Sequence, residues 1–191
     1  MTLRVLGIDP GLTRCGVGVV EVDAQRRATL VDVQVIRTAP ELALELRLLA
    51  LGRGLEALID EHRPDAMAIE RVFAQQNVRS VMGVAQVSGL ALRAAAEREI
   101  PVTLHTPSEV KAAVTGYGSA DKKQVGTMVA RLLGLAEAPR PADAADALAL
   151  AICHAWRGAP VAARASSGSL TPAQRAWRDA EKSVRTPRLG A

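Results

Sequence analysis

The pattern of hydrophobic and polar positions divides the first half of the chain into strands and one long helix. Residues 3–9 form a short, mostly apolar run that a Pro-Gly pair ends, which predicts a buried strand followed by a turn. Residues 16–23 and 29–38 are rich in valine and flank a polar turn, so we expect a three-stranded antiparallel meander. Residues 39–62 carry leucines at helical spacing and are predicted to form a helix.

The middle of the chain alternates between strands and a helix. Residues 65–70 and 101–105 have the length and composition of short strands. Between them, residues 77–99 have a helical pattern rich in Gly, Ala and Ser. Because Gly and Ser lower helix propensity, we expect this helix to pack closely against another helix.

Capping signals mark the helices that follow. Residues 106–109 match a capping box with proline at the first helical position, and a second helix is predicted from Ser119 to near Gly134. Residues 140–154 are apolar almost all round after their first turn, which predicts a buried helix.

The predicted order is three antiparallel strands followed by alternating strands and helices. Right-handed crossovers would place the two later strands beside the first. This order is typical of an α/β protein with the ribonuclease H-like fold, a five-stranded mixed sheet flanked by helices. We assign residues 1–156 to this domain, and residues 157–191, rich in Ala, Ser, Gly, Pro and Arg, to a basic, flexible tail.

Composition narrows the classes of protein. Of the 191 residues, 49% are hydrophobic but only 2% are aromatic, so we expect an aliphatic core in which each aromatic residue stands out. No apolar run is long enough to cross a membrane, and no signal peptide is recognisable. Cys15 and Cys153 lack the spacing of a metal site and suit reduced thiols, so we expect a cytoplasmic protein.

Charge suggests a polyanionic partner. Residues 157–191 hold seven Arg and Lys against two Asp and Glu, whereas the preceding domain is near neutral. Within the domain, residues 71–131 hold eight basic side chains against four acidic ones. The alternative is an ordinary solvated surface, and charge alone does not distinguish the two.

Four acids occupy positions that should converge. Asp9 and Glu70 are the last residues of two predicted strands, and the ends of parallel neighbouring strands lie side by side. Asp143 and Asp146 are three residues apart at the head of the buried helix, so their carboxylates share one helical face. The alternative for this pair is helix-dipole compensation and a loop cap.

Four carboxylates in one cleft would repel one another unless cations bind them. Hard oxygen ligands in that number suit Mg²⁺ or Mn²⁺. Two such ions about 4 Å apart stabilise both the attacking and the leaving oxygen of a phosphoryl displacement. We therefore predict two Mg²⁺ per subunit, which Mn²⁺ can replace. The histidines lack zinc-ligand spacing and are expected to be structural: His62, His105 and His154.

Four short motifs occur in order along the predicted domain. They are Gly-Ile-Asp-Pro-Gly at 7–11, Ala-Ile-Glu at 68–70 followed by Val72 and Phe73, Gly-Ser-Ala-Asp-Lys at 118–122, and Asp-Ala-Ala-Asp-Ala at 143–147. Together they resemble the RuvC family of Holliday junction resolvases, over about residues 3–156. The resemblance implies a structure-selective endonuclease that resolves Holliday junctions by paired symmetric nicks, through two-metal-ion hydrolysis, in DNA recombination and repair.

The resemblance also implies roles for individual residues. The four acids match the family's catalytic, metal-binding carboxylates. Lys111 and Lys122 match basic catalytic residues beside the scissile phosphate, and Phe73 matches an aromatic residue that stacks on a base near the cut. Phe73 is the only phenylalanine of the chain and lies in a polar loop, so its ring suits stacking on a planar partner. Its alternative is a core contact that anchors the loop.

Three partners are implied by the same resemblance. Four-way junction DNA is the substrate, and the helix at 77–99 matches the family's dimer interface. A two-fold homodimer suits a four-way junction, because one enzyme can then make two symmetric nicks. The branch-migration motor formed by RuvA and RuvB is the third partner, and no membrane is involved.

Other functions compete with this interpretation. Residues 9–13 resemble the phosphate loop of actin-like phosphotransferases, but that class needs two such domains. A RuvC-like nuclease that processes RNA shares the fold, yet fits the double-aspartate helix less well. A catalytically idle junction-binding scaffold would need only basic residues and Phe73, and the presence of all four acids argues against it.

Overall fold

The computed structural model describes residues 2–71 and 78–157, which contain the elements of the predicted domain. In chain order these are β1 (Leu3–Asp9), β2 (Arg14–Val22), β3 (Ala28–Arg37), α1 (Leu44–His62), β4 (Ala66–Glu70), α2 (Val78–Ala96), β5 (Val102–His105), α3 (Pro107–Thr115), α4 (Lys122–Leu133) and α5 (Ala142–Arg157). Phe73 and all but the first residue of the predicted tail lie outside the described residues, so their roles and the domain boundary stay predictions.

The strands form one sheet in the order β3-β2-β1-β4-β5. Strand β1 is antiparallel to β2 and parallel to β4, and β4 is parallel to β5. The predicted five-stranded mixed sheet is therefore confirmed. Strand β1 is central because it is apolar on both faces, as a strand covered on both sides must be.

Alternation along the strands assigns each side chain to one face of the sheet. Leu6 and Ile8 of β1 pack into the cluster formed with α1 and α2, whereas Val5 packs into the cluster formed with α5. With a period of two, Asp9 falls on the α5 face, and Glu70 at the end of β4 falls there with Ala68. Both acids thus end their strands on the side that carries α5.

Two helix starts differ from the sequence prediction by three residues or more. Helix α4 begins at Lys122 rather than Ser119, because Asp121 accepts a hydrogen bond from the Gln124 amide at 2.8 Å and forms a capping box with it. Helix α1 begins at Leu44 rather than residue 39. The capping box that begins α3 is confirmed, as is the end of α4 at Gly134.

Three glycines let α5 lie directly on the sheet. A Cβ at Gly7 would overlap the carbonyl oxygen of Ala147, and one at Gly16 would overlap the carbonyl oxygen of Asp143. A Cβ at Gly18 would lie 2.8 Å from the Leu148 backbone nitrogen. Because backbone atoms cannot rotate away, any larger residue here would push the helix off the sheet. These glycines therefore set the height at which the α5 acids lie.

We predict that Gly7→Ala destabilises the protein by about 1–3 kcal/mol or more, because an added methyl overpacks the contact between β1 and α5. Urea unfolding of the purified variant measures this change. Gly52→Ala is the matched control: its Cβ would lie 3.8 Å from a Leu90 methyl, an ordinary contact. Since alanine favours helix over glycine by up to about 1 kcal/mol, the control should be neutral or stabilising. Equal destabilisation of both variants would contradict this account of α5.

Further sequence predictions concern cysteines and membranes. Cys15 and Cys153 are both free and buried. None of the helices in the described ranges is long and apolar enough to span a membrane.

Candidate active site

A cleft of about 200 Å³ opens at the ends of β1 and β4. Its polar walls are five of the residues singled out from the sequence: Asp9, Glu70, Lys111, Lys122 and Asp146. Apolar side chains of α3, α4 and α5 form the rest of the wall, including Val110, Val125 and Leu150. Residues separated by more than 130 positions therefore meet at one edge of the sheet.

Local structure explains how each cleft residue is positioned. The pairing of Ile8 with Ile69 in the parallel ladder is the last before the two strand-end acids, which brings them side by side. The capping boxes fix the starts of α3 and α4, so that Lys111 lies in the second turn of one helix and Lys122 is the first residue of the other. Asp146 follows one turn after the start of α5.

The carboxylates in the cleft oppose one another's ionisation. Burial, followed by the charges of Glu70, Asp146 and Asp143, raises the pKa of Asp9 to about 7, although Lys122 acts in the opposite direction. Burial also raises the pKa of Glu70, followed by the charge of Asp146. Negative charge at this edge is thus under-compensated by the protein itself.

Lys122 is the cation that best compensates the negative charge of the cleft carboxylates. Its Nζ lies 2.9 Å from Oδ2 of Asp146, and this hydrogen bond raises the pKa of the ammonium group. Asp146 is partly buried, whereas the lysine side chain is largely exposed. The lysine can therefore leave the aspartate at small cost if another cation arrives, since an exposed ion pair contributes little.

Asp143 is held apart from the other three acids. It does not line the cleft, and its Oδ2 lies 2.8 Å from Nε of Arg14. Arg14 begins β2 and lies on the same face as Gly16, against which the start of α5 packs. Sequence reasoning missed Arg14, because only the register between β2 and α5 brings it to Asp143.

The donor set fits a divalent metal, although the described residues form no preformed cage. Among residues 2–71 and 78–157, no three Asp, Glu, His or Cys side chains converge closely enough to hold an ion. Ion pairs with Lys122 and Arg14 occupy two of the four acids. All four donors are carboxylates, which suit Mg²⁺ or Mn²⁺ rather than zinc. The raised pKa of Asp9 is the sign of a charge that a bound cation would neutralise.

The histidines lie outside the cleft. Nε2 of His62 lies 2.9 Å from Oδ2 of Asp32, and the buried rings of His105 and His154 are joined by a hydrogen bond of 3.2 Å. Burial lowers the pKa of both rings below the ordinary histidine value, that of His154 to about 4, so both are neutral at physiological pH. Each histidine has a partner that explains its place in the packing.

Comparisons with known proteins agree with the geometry. The family model described as crossover junction endodeoxyribonuclease RuvC matches residues 5–154. A crossover junction endodeoxyribonuclease RuvC from Leifsonia xyli is 68% identical over 96% of this chain and 94% of its own length. The corresponding protein of Clavibacter michiganensis is 61% identical, over 96% of this chain and 98% of its own.

A solved structure shares the fold. The RuvC of T. thermophilus in complex with a Holliday junction substrate superposes with a TM-score of 0.78 at 38% identity, over 82% of this chain and 94% of that one. A strand-end acid pair, a helix bearing two aspartates and this agreement over most of the chain lead to one conclusion: the chain belongs to the RuvC family of crossover junction endodeoxyribonucleases.

Proposed function

We propose that this chain, a crossover junction endodeoxyribonuclease by family, resolves Holliday junctions by two symmetric nicks that depend on Mg²⁺. One observation carries the proposal: acids from β1, β4 and α5 share a cleft with lysines from α3 and α4. Acids that hold cations and lysines that bind phosphate are the two parts that metal-assisted phosphodiester hydrolysis requires.

Each cleft residue has a role in the proposed reaction. Asp9, Glu70 and Asp146 would hold the divalent ions, and Asp143 would be a further ligand if its ion pair with Arg14 opened. Divalent ions held there would lower the pKa of a bound water and would stabilise negative charge on the attacking and leaving oxygens.

The two lysines attract and orient the scissile phosphate. Lys111 faces the acids from α3, and Lys122 is free to turn to the phosphate once Asp146 binds a cation. Apolar side chains of three helices line the rest of the cleft, and charge interactions strengthen where a wall of low polarity replaces water.

Cleavage of a synthetic four-way junction tests the proposal. A junction labelled on one strand at a time is incubated with the protein in Mg²⁺, in Mn²⁺ and in EDTA, with a linear duplex of the same sequence as control. We expect paired nicks at symmetric positions in opposing strands, only with metal and only in the junction. Binding without cutting in every metal would favour the idle scaffold instead.

The homodimer is a second part of the proposal, and the surface of α2 supports it. Exposed positions recur at intervals of three and four residues and carry small or apolar side chains: Met82, Ala85, Gly89, Leu92 and Ala96. Such spacing forms one stripe along a helix. In the described part of the chain, a Cβ at Gly89 would meet no heavy atom within 4 Å. Packing inside the subunit therefore does not explain this glycine, whereas a closely packed partner helix would.

We predict that Gly89→Arg weakens the dimer at least tenfold, because a long charged side chain would separate the two α2 helices. Sedimentation equilibrium across a range of concentrations measures the dissociation constant. Ala136→Arg, an exposed position outside α2, is the control and should leave the dimer intact. A Gly89→Arg protein that dimerises like wild type would move the interface elsewhere.

Three further expectations complete the proposal. The partnership with RuvA and RuvB rests on the family resemblance, and the cytoplasmic location rests on the two cysteines, which suit reduced thiols. Phe73, the proposed base-stacking residue, lies beyond the described residues and keeps that role as a prediction.

A further inference from the structure

A second groove lies beside the cleft, on another side of the first turns of α4. It has a volume of about 410 Å³ and is lined mainly by Thr115, Tyr117, Lys123, Gln124, Thr127 and Met128. This volume falls within the range of about 300–1,000 Å³ found for small-ligand sites. The groove shares no lining residue with the cleft and has no acidic side chain in its wall.

Tyr117 is an exposed aromatic residue on a fixed loop. Its side chain is 63% exposed in a chain with a single tyrosine. The loop is held by hydrogen bonds: the Tyr117 amide donates to Oγ1 of Thr115 at 3.1 Å, and the Tyr117 carbonyl accepts from the Ala120 amide at 3.2 Å. An exposed ring on an ordered turn is already positioned to stack on a planar group.

Lys123 provides a cation in the wall of the same groove. Within the described ranges its ammonium group forms no salt bridge, whereas its neighbour Lys122 binds Asp146 in the cleft. One turn of α4 thus presents one lysine to each cavity. Asp121 is the N-cap of α4. Its carboxylate would repel an anion that approached the N-terminus of this helix. A phosphate is therefore expected on Lys123 and not on the backbone amides.

The groove and the cleft are also joined through α3. Thr115 donates a hydrogen bond of 2.8 Å to the carbonyl of Lys111, the residue that faces the cleft acids one turn earlier. A chain of phosphates that crosses the cleft lysines can continue past the first turn of α4 into the groove. A single aromatic ring and a single cation suit one nucleotide, whereas a stable protein interface buries about 1,200 Å² or more.

We propose that this groove is a subsite for one nucleotide of the DNA strand that continues from the cleft. Tyr117 stacks on the base, and Lys123 pairs with the phosphate of that nucleotide. The inference rests on the proposed function, because the strand must first be bound in the cleft.

Equilibrium binding of a fluorescent four-way junction in EDTA, where no cutting occurs, tests the subsite. We expect Tyr117→Ala to weaken binding about 5- to 150-fold, the range for loss of one base–aromatic stack, and Tyr117→Phe to bind within about twofold of wild type. Lys123→Ala should lower the slope of log affinity against log salt by about one. Arg131→Ala removes an exposed cation further along the same helix and should leave the slope unchanged.

Cross-linking identifies the nucleotide directly. 5-Iodouracil is placed singly at successive positions on both sides of the cut in each strand. We expect one position to cross-link to the wild-type protein and to lose that cross-link in Tyr117→Ala. Melting temperatures of the variants should match wild type, because the ring is exposed.

Several outcomes would overturn the subsite. Wild-type affinity and an unchanged cross-link in Tyr117→Ala would do so, and would leave the groove to a protein partner. A large drop in melting temperature, or equal losses in Tyr117→Ala and Tyr117→Phe, would also refute stacking. If the wild-type protein cuts the junction in Mg²⁺ while these variants bind normally, only the subsite fails. If the wild-type protein neither binds nor cuts, the proposed function fails with it.

Discussion

Asp9→Asn, Glu70→Gln and Asp146→Asn should each abolish junction cutting and leave junction binding nearly intact. The cleft acids are proposed to hold the metal ions, and loss of even an outer partner of a metal ligand typically costs about 10–100-fold. Loss of a ligand should therefore lower the single-turnover rate by more than about 100-fold. Binding rests mainly on contacts between basic side chains and phosphates, which these variants keep. Rates in Mg²⁺ and affinities in EDTA, measured on the same labelled junction, separate the two effects.

Asp143→Asn is the informative comparison. Asp143 lies outside the cleft wall and is paired with Arg14, so its loss should reduce the rate less than loss of the other three acids. A cleft variant that binds junctions and still cuts at a rate near wild type would remove that acid from the metal site. An Asp143→Asn protein as inactive as Asp9→Asn would show that the Arg14 pair breaks early in the reaction.

Asp9→Asn should also stabilise the metal-free protein at pH 8. The folded-state pKa of Asp9, about 7, exceeds its ordinary value of 3.8. Between these values the folded state binds more protons than the unfolded state, so the free energy of unfolding falls as pH rises. At about 1.4 kcal/mol per pKa unit, the loss above pH 7 is on the order of 4 kcal/mol. Asparagine carries no charge to desolvate, so the variant should keep this stability.

Urea unfolding of both proteins in EDTA from pH 5 to pH 8.5 measures the difference. The advantage of Asp9→Asn should grow as the pH rises from 5 to 7, where unfolded Asp9 is ionised and folded Asp9 still binds its proton, and should level off above pH 7. Neutral His154 contributes the opposite slope at lower pH, because its pKa is lowered to about 4, but it does so equally in both proteins. Glu137→Gln, an exposed charge removal, is the control and should run parallel to wild type. Parallel curves for Asp9→Asn as well would show that the carboxylate is not crowded.

Magnesium should offset much of the wild-type loss. Metal that binds only the folded protein stabilises it by RT ln(1 + [L]/Kd), or about 2.7 kcal/mol at one hundred times the dissociation constant. The wild-type protein should gain this stability at pH 8, and Asp9→Asn should gain much less. Asp9 is a sharper choice for this test than Asp146, because removing Asp146 also breaks its hydrogen bond with Lys122.

Local sequence patterns determined most of the fold. Alternation of apolar and polar residues, together with valine content, located the strands of the sheet. The capping box at residues 106–109 predicted the start of α3. Asp9 and Glu70 could be singled out because each ends an apolar strand, where an unpaired charged side chain is costly to bury. These signals are readable because hydrophobic period, helix capping and turn chemistry act between residues close in sequence.

Only the tertiary structure decided how the acids are paired. Asp143 lies against Arg14 and Asp146 against Lys122, partners that are 129 and 24 positions away and that no spacing rule connects. Both pairings depend on how closely and at what register α5 lies on the sheet, which the contact at Gly16 sets. The elevated pKa of Asp9 likewise depends on burial and on charges from β4 and α5 together. The sequence predicted that four acids would share one cleft, whereas packing placed three of them in the cleft wall and left Asp143 outside it, paired with Arg14.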